Sequence, residues 1–445
     1  MANVERPRSL VPAAAATYAT NVAAVAFSLI NVLIIARTLG PAGRGDVALL
    51  IAVGVVTSHL ISLSVQEANA NLAGSDPSLR AALATNSILL ALGLGALGAA
   101  AVGGLVVAVP AVAGDVRPAL LSFSMAAIPL LMVRTYLSFL LQADYDFSAT
   151  NRAWLAGPLT GVLGNAALAL AGAITVTSAI AAWVLGQVVA VAMLVHYVRR
   201  RAGFGRPDRP LAARSLRFGL KAHVGHTMEV GNYRADQWFV GAVAGSRELG
   251  LYSIAVSCAE VLFYLPGILV LVQRPDLVRA RAADAFARAS RVLRGALVVC
   301  LPAVAVALAV APVACTLLFG DEFAGAADDL RILAPAAFGV SALLVLRNAL
   351  TAQRRPMLAS AAEGSAFVVM VALNLWLVPA HGGAGAATAM TISQTCGGLV
   401  AALLFARALG GAVPALLPRP SDLGWLVRKL RTGLGAARPA GDGAR

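Results

Sequence analysis

Charge is what this chain has too little of: of 445 residues only 13% are Asp, Glu, Lys or Arg. A soluble protein of that length needs far more to coat its surface. Acids are the scarcer sign, 21 against 35 basic residues, and aromatics make up 6%. Four cysteines, Cys258, Cys300, Cys315 and Cys396, stand singly inside apolar stretches with no CxxC pair, which excludes a disulfide scaffold. Histidines are as sparse, and His59, His223 and His226 lack a third ligand at zinc spacing. There is no Walker loop, no dinucleotide fingerprint and no Ser/His/Asp or paired-carboxylate arrangement in a soluble domain. The expectation is a protein that is not an enzyme, hydrolyses no ATP, and takes no cofactor and no metal.

What is abundant is apolar sequence, 59% of the chain, with a mean hydropathy of +0.80. Runs of about 20 apolar residues cross a bilayer as helices, because lipid offers the backbone no other hydrogen-bond partner. By that rule the chain is an all-α integral membrane protein with twelve spans, near 11–36, 45–66, 80–108, 118–141, 153–173, 176–198, 216–244, 250–272, 293–318, 330–352, 357–379 and 383–406. The first run is longer than a typical signal-peptide core and reads as a membrane helix. Its length and hydropathy divide the chain into an N-terminal six-helix bundle (1–198), a basic connector (199–215), a C-terminal six-helix bundle (216–407) and a basic tail (408–445).

The connector region is the most basic stretch between spans, with Arg199, Arg200, Arg201, Arg206, Arg209, Arg214, Arg217 and Lys221 against Asp208 alone. A net charge of +14 invites a nucleic-acid reading. The arginines cluster between apolar spans, however, so membrane topology explains them and no nucleic-acid partner is expected. With the N-terminus inside, one side collects Arg6, Arg8, Arg80, Arg152, the connector, the run from Arg274 to Arg294, Arg347, Arg354, Arg355 and the tail. The other keeps only Arg37, Arg44, Arg117, Arg247 and Arg331. Positive-inside bias therefore predicts a bacterial cytoplasmic membrane protein with both termini cytoplasmic. In the tail, Leu423, Trp425, Leu426 and Leu430 beside Arg428, Lys429 and Arg431 suit a short interfacial helix or a solvated basic tail.

An internal repeat links the halves. ARTLGPAGRGDVALL (36–50) and AVAGSRELGLYSIAV (242–256) superpose with a shift of 205, Gly40 falling on Gly245 and Gly45 on Gly250. The same shift carries span one onto span seven. Span one has a polar stripe of Thr17, Asn21, Ser28 and Asn31; span seven has His223, His226, Glu229, Tyr233 and Asp236. The opposite face of span seven, Val224, Met228, Gly231, Ala235, Trp238 and Phe239, is apolar enough to meet lipid. Paired stripes predict a hydrated cavity between the halves, against plain interhelical hydrogen bonding.

An ionisable group in a span needs a partner, water or a function. Arg134 in span four and Arg234 in span seven are candidates to grip an anionic head group, since the guanidinium fork donates two bonds and never deprotonates. Asn31, Asn21 and Tyr233 join them as candidate substrate-binding residues. Glu229, Asp236, Glu260 and Glu363 are candidates to bind a coupling proton or cation. The structural alternative pairs Arg234 with Glu229 or Asp236, and Arg134 with Glu260.

The chain resembles the polysaccharide flippases of the multidrug/oligosaccharidyl-lipid/polysaccharide (MOP) exporter superfamily. The similarity is carried by ARTLGPAGRGDVALL, YRADQWFVGAVAGSRELGLYSIA, LLFGDEFAGAADDLRILAPAAF and LNLWLVPAHGGAGAATAMTIS, in that order along nearly the whole chain. The resemblance implies two pseudo-symmetric six-helix bundles that open alternately to the two membrane faces. It implies movement of an undecaprenyl-diphosphate-linked sugar between leaflets, with cationic residues on the diphosphate. A polysaccharide polymerase and glycosyltransferases are the implied partners, together with membrane lipids and the lipid-linked anionic oligosaccharide. Asp236 sits where many relatives place an acid. Lipid II flippases of the superfamily carry two further helices that this chain lacks. A cation-coupled multidrug antiporter of the same fold is the rival, although span one has asparagines where many antiporters carry a carboxylate. A non-transporting scaffold for polysaccharide synthesis is the third reading.

Overall fold

A computed structural model describes residues 10–143, 147–279, 281–419 and 422. The candidate interfacial helix around Trp425 lies outside the described residues, as do Arg6, Arg8 and the side chain of His226. Among the described residues all regular structure is helical: α1 (Leu10–Ile61), α2 (Val65–Ser75), α3 (Arg80–Ala108), α4 (Pro118–Gln142), α5 (Phe147–Leu170), α6 (Val176–Arg201), α7 (Arg209–Val243), α8 (Gly245–Arg279), α9 (Ala282–Phe319), α10 (Ala326–Leu333), α11 (Ala336–Ala352) and α12 (Pro356–Leu409). Two of these are each a pair of helices meeting at a break. Gly40 (φ 66°) interrupts α1 and Gly382 (φ 53°) interrupts α12, conformations that only glycine adopts without strain.

Among the described residues, seven helices are long and apolar enough to cross a membrane, or eight if α10 and α11, bent by 43°, count as one broken span. The broken α1 and α12, 46 apolar-run residues and 54 residues long, hold the first two and last two expected spans. α7 is too polar to qualify on composition, so the figure of twelve stays an expectation from charge and hydropathy. Sequence reading also missed α2, which a left-handed turn at Leu63 and Ser64 (φ 45° and 47°) sets off from α1.

The chain divides into two compact units that cut through α8, α9 and α12. The first holds Met1–Cys258, Val310–Leu333 and Phe367–Met390. In it α1 lies on α5, α4 and α6, and α3 on α4. One apolar cluster joins Leu72, Leu83, Ile128, Met132, Leu137, Leu194 and Leu211. Polar groups inside that cluster are satisfied, as burial demands: Tyr136 Oη donates to Ser62 O at 2.6 Å, and Asn69 Nδ2 to Ser87 Oγ at 2.8 Å.

The connector lies wholly in this unit and is held in place. Gly205 N donates to Ala81 O (2.9 Å) and Thr85 Oγ1 to Gly205 O (2.8 Å). Asn86 exchanges two bonds with the backbone of Asp208. Asp208 then caps α7 by accepting from Leu211 N at 2.9 Å, with Pro210 in the first turn where no amide is needed. On the neighbouring turn, the hydroxyl and amide of Ser78 hold the Asp76 carboxyl below the usual carboxylate range.

The second unit holds Ala259–Ala309, Ala334–Ala366 and Thr391–Arg445. Its core gathers Leu293, Leu346, Leu350, Ala366 and Phe405, with Phe286 stacked on Phe405 at 5.3 Å between centroids. The chain beyond α12 folds back on α9, where Arg294 Nε meets Asp422 at 2.9 Å and Arg294 Nη1 donates to Ala415 O at 2.7 Å.

Candidate functional site

The glycines of the repeat meet in space, inside the first unit. A Cβ on Gly45 would overlap Ser246 O, and a Cβ on Gly250 would overlap Pro41 O. Because 41 and 246, like 45 and 250, differ by 205, each contact is the repeat-image of the other, as across a two-fold axis. The left-handed glycines, Gly40 and Gly245, are also 205 apart, and each faces a carboxylate. Gly40 faces the Glu322 carboxylate and Gly245 (φ 87°) faces Asp115, 3.0 and 3.1 Å from where each Cβ would stand. Asp115 also accepts from Ser246 N at 3.2 Å, and Ser246 Oγ donates to Asp46. Arg37 Nε caps the end of α9 through Leu318 O at 2.7 Å, with its Nη2 on Leu317 O. Glycine is required at these positions because two backbones touch there.

Beneath these turns the stripe on α1 splits. Thr17 accepts from Asn151 Nδ2 (3.0 Å) and Asn31 Oδ1 accepts from Asn165 Nδ2 (2.8 Å), both donors on α5. The two contacts share a separation of 134 residues, so α1 and α5 run in the same direction. Asn21 and Ser28 are instead exposed on α1, with no hydrogen bond among the described residues. Half of the predicted stripe therefore zips two helices together, and half is open.

Facing this pair, α4 brings in Arg134. Its guanidinium carbon stands 4.8 Å from the centre of the Trp154 ring on α5, a cation–π contact. Among the described residues it has no ion pair and no hydrogen-bond acceptor, and its enclosed Nε is unsatisfied. Gly157 sits beside it: a Cβ there would lie 4.0 Å from Arg134 Nη1 and 3.9 Å from Gln187 Nε2, which places both donors around one point. Gln187 Oε1 and Asn165 Oδ1 are likewise enclosed without partners. Such clustered unused polarity is costly in an apolar bundle and suits a polar ligand or water. Arg134 and Gln187 Nε2 suit the oxygens of an anion, while the two amide oxygens call for a hydroxyl or water that donates to them.

On α7 the picture differs. Asp236, 1% exposed, accepts from Tyr252 Oη of α8 and from Gln237 N at 2.8 Å. Tyr252 is itself 3.9 Å from Met390 Sδ on α12. At the other end of the stripe, His223 bonds Leu60 O at 2.8 Å and so ties α7 to the turn before α2. Glu229, Tyr233 and Arg234 are half-buried between them, each with an interaction partner. The face of α7 expected to meet lipid does not all do so. Gly231 is buried against Phe367, and Trp238 Nε1 donates to Val112 O at 3.1 Å. Hydropathy reports that a face is apolar, and a neighbouring helix satisfies it as well as acyl chains do.

In the second unit Glu363, 4% exposed, is neutralised by Arg347 Nη1 at 3.0 Å. Glu260, at the start of that unit's part of α8, is half-buried with a partner of its own. The candidates thus do not form one constellation. Arg134, Asn31 and the unforeseen Trp154, Asn165 and Gln187 belong together; Asp236 with the unforeseen Tyr252 forms a second centre; Glu363 is a third. Trp154 and Gln187 were visible only as an aromatic and an amide inside otherwise small-residue spans. Among the described residues no His, Cys, Asp and Glu cluster has the makings of a metal site.

With this geometry in place, the comparisons bear on identity. The sequence profile of a family described as polysaccharide biosynthesis protein matches residues 34–328. No curated protein matches the chain in sequence. Among solved structures, the lipid II flippase MurJ in an inward closed conformation aligns with TM-score 0.72 at 10% identity, over 95% of this chain and 93% of that one. An inward-facing multidrug resistance MATE transporter of the MOP superfamily aligns with TM-score 0.66 at 14% identity, over 87% and 94%. A MOP superfamily transporter from Pyrococcus furiosus, described as having a binding pocket of reverse polarity, aligns with TM-score 0.54 at 14% identity, over 90% and 95%. The fold is that of the MOP superfamily.

Proposed function

Since the chain belongs to the polysaccharide biosynthesis protein family, we propose that it is a flippase for a lipid-linked oligosaccharide. It works by alternating access between two six-helix bundles, moving an undecaprenyl-diphosphate-linked sugar from the inner to the outer leaflet of a bacterial cytoplasmic membrane. A polymerase and glycosyltransferases on either side of this step are its working partners.

The observation that carries the reading is Arg134, a guanidinium inside an apolar helix with no acid beside it among the described residues and the Gln187 amide donor next to it. A diphosphate supplies the acceptors that such a fork needs, while Asn31, the exposed Asn21 and Ser28, and Gln187 suit hydroxyl-rich sugar. Arg234 and Tyr233 on α7 are assigned the same ligand from the other half of the repeat. Loss of charge-assisted bonds worth roughly 1.5–3 kcal/mol means that Arg134→Ala slows transport of the lipid-linked sugar in proteoliposomes by about 10- to 100-fold. Arg134→Lys, which keeps charge but not the fork, falls between. Equal rates for the three proteins would defeat the assignment.

A second reading, a cation-coupled multidrug antiporter, draws on one observation, the enclosed Asp236 held by Tyr252. Proton- or sodium-dependent efflux of cationic dyes, abolished in Asp236→Asn, would favour it. A scaffold without transport is sunk by an Arg134→Ala protein that is expressed normally and no longer moves substrate.

A further inference from the structure

The first turns of α7 carry a surface that the flippase reading does not use. Leu211, Ser215 and Gly219 form its buried face, four residues apart. Gly219 presses so closely on Leu63 and Ser64 that a Cβ there would overlap Leu63 O. His223, one turn on, is bonded to Leu60 O. With Asp208 capping the start, these contacts fix the rotation of the helix about its axis. The opposite face is therefore held outward, and it carries Arg214, Arg217 and Lys221 at spacings of three and four, a single stripe. The three cations line, with Pro210 and Phe218, an open notch of about 260 Å³. None of them has a hydrogen bond or an ion pair among the described residues. The acid whose charge reaches Arg214 is Asp76, already occupied by Ser78. Beside the cations stand Phe218 and Leu220, 37% and 57% exposed.

Three cations with no ion pair among the described residues, beside an exposed aromatic and leucine, make a mixed surface with a specific complement. Arginine forks match phosphate oxygens, and Phe218 and Leu220 match the glycerol and first acyl carbons attached to them. Free phosphate has no use for the apolar part, whereas a phosphodiester with its glycerol and acyl chains uses both. The connector joins α7 to the end of α6 and is bonded to the first turn of α3, two helices apolar enough to cross a membrane, so the notch lies at the level of the membrane surface. The geometry points to a binding site for the phosphodiester of an anionic phospholipid, formed by Arg214, Arg217 and Lys221 at the connector end of α7. The inference stands whether or not the protein flips oligosaccharide, because it uses none of the residues around Arg134.

The test counts bound lipid. Full-length protein in zwitterionic micelles is titrated with phosphatidylglycerol and read by native mass spectrometry, beside an Arg214→Gln/Arg217→Gln/Lys221→Gln variant. All three positions are exposed, so an unchanged thermal melt confirms that the variant is folded. A control removes equal charge from the same end through Arg199→Gln/Arg200→Gln/Arg206→Gln. Expected is one tightly held phosphatidylglycerol lost from the first variant, its affinity falling about fivefold per cation removed, and none lost from the control. Equal binding by the first variant overturns the site. So does equal loss from the control, which would mean a diffuse charge band, or displacement of the lipid by sub-millimolar inorganic phosphate, which would mean a soluble-anion site.

Discussion

Arg134 on α4 and Arg347 on α11 are both arginines set in apolar helices, and the second is the ordinary case. Arg347 reaches Glu363 of α12 at 3.0 Å within the second unit, so the charge of each is cancelled and the pair ties two helices together. Arg134 has an aromatic ring beneath it and amide groups around it, and no acid. A paired cation has spent its field on the fold; an unpaired one keeps it for something that arrives. The contrast separates an arginine committed to an ion pair from one left with unsatisfied bonding capacity, where residue type and hydropathy do not.

Removing one partner of each set should break the comparison in opposite ways. The largest effect is expected for Arg347→Ala, which strands a buried carboxylate and costs about 3–5 kcal/mol of stability. A sharply lowered melting temperature, restored by adding Glu363→Gln, checks this; an unchanged melt would put Arg347 in the same class as Arg134. Next comes Arg134→Ala, whose deficit of about 10- to 100-fold belongs to transport, with the melt unchanged or raised because an uncompensated buried charge is gone. Trp154→Leu should sharpen the picture with a smaller transport loss, about 2- to 30-fold, since a cation–π contact is worth roughly 0.5–2 kcal/mol. The smallest effect is expected for Tyr252→Phe, which deletes one hydrogen bond to Asp236 and costs about 1 kcal/mol or slightly more, read in the melt. Were Tyr252→Phe instead to change the ion dependence of transport, Asp236 would move from the structural column to the functional one.

Several features were legible before any coordinates. Gly40 with Gly245 and Gly45 with Gly250 stood out because a left-handed backbone and a backbone-to-backbone contact both exclude a side chain, and so mark the sequence directly. Both ends of α3 and α4, and the start of α6, followed from apolar run length and boundary residues, whereas α5, α7, α8 and α9 begin before the expected spans because their first turns are polar or charged. Arg134 could be singled out from its place within an apolar run. The partners could not. Asn31 and Asn21 read alike on one stripe, yet one is bonded to Asn165 and the other is open, because α5 covers only part of that face. Gly231 and Trp238 read as lipid-facing and are packed on protein, since an apolar neighbour and an acyl chain give a residue the same periodicity.

Composition, hydropathy and the 205-residue repeat determined by themselves that this is a helical membrane protein, where the middles of most of its helices lie, and which glycine turns correspond in the two halves. These are properties that each segment carries in its own residues. Which ionisable groups cancel one another was decided only in three dimensions. Glu363 meets Arg347, Asp236 meets Tyr252 and Arg134 meets no acid because of how helices distant in sequence are brought side by side. Charge pairing depends on distances of a few ångströms across such contacts, and no local pattern encodes them.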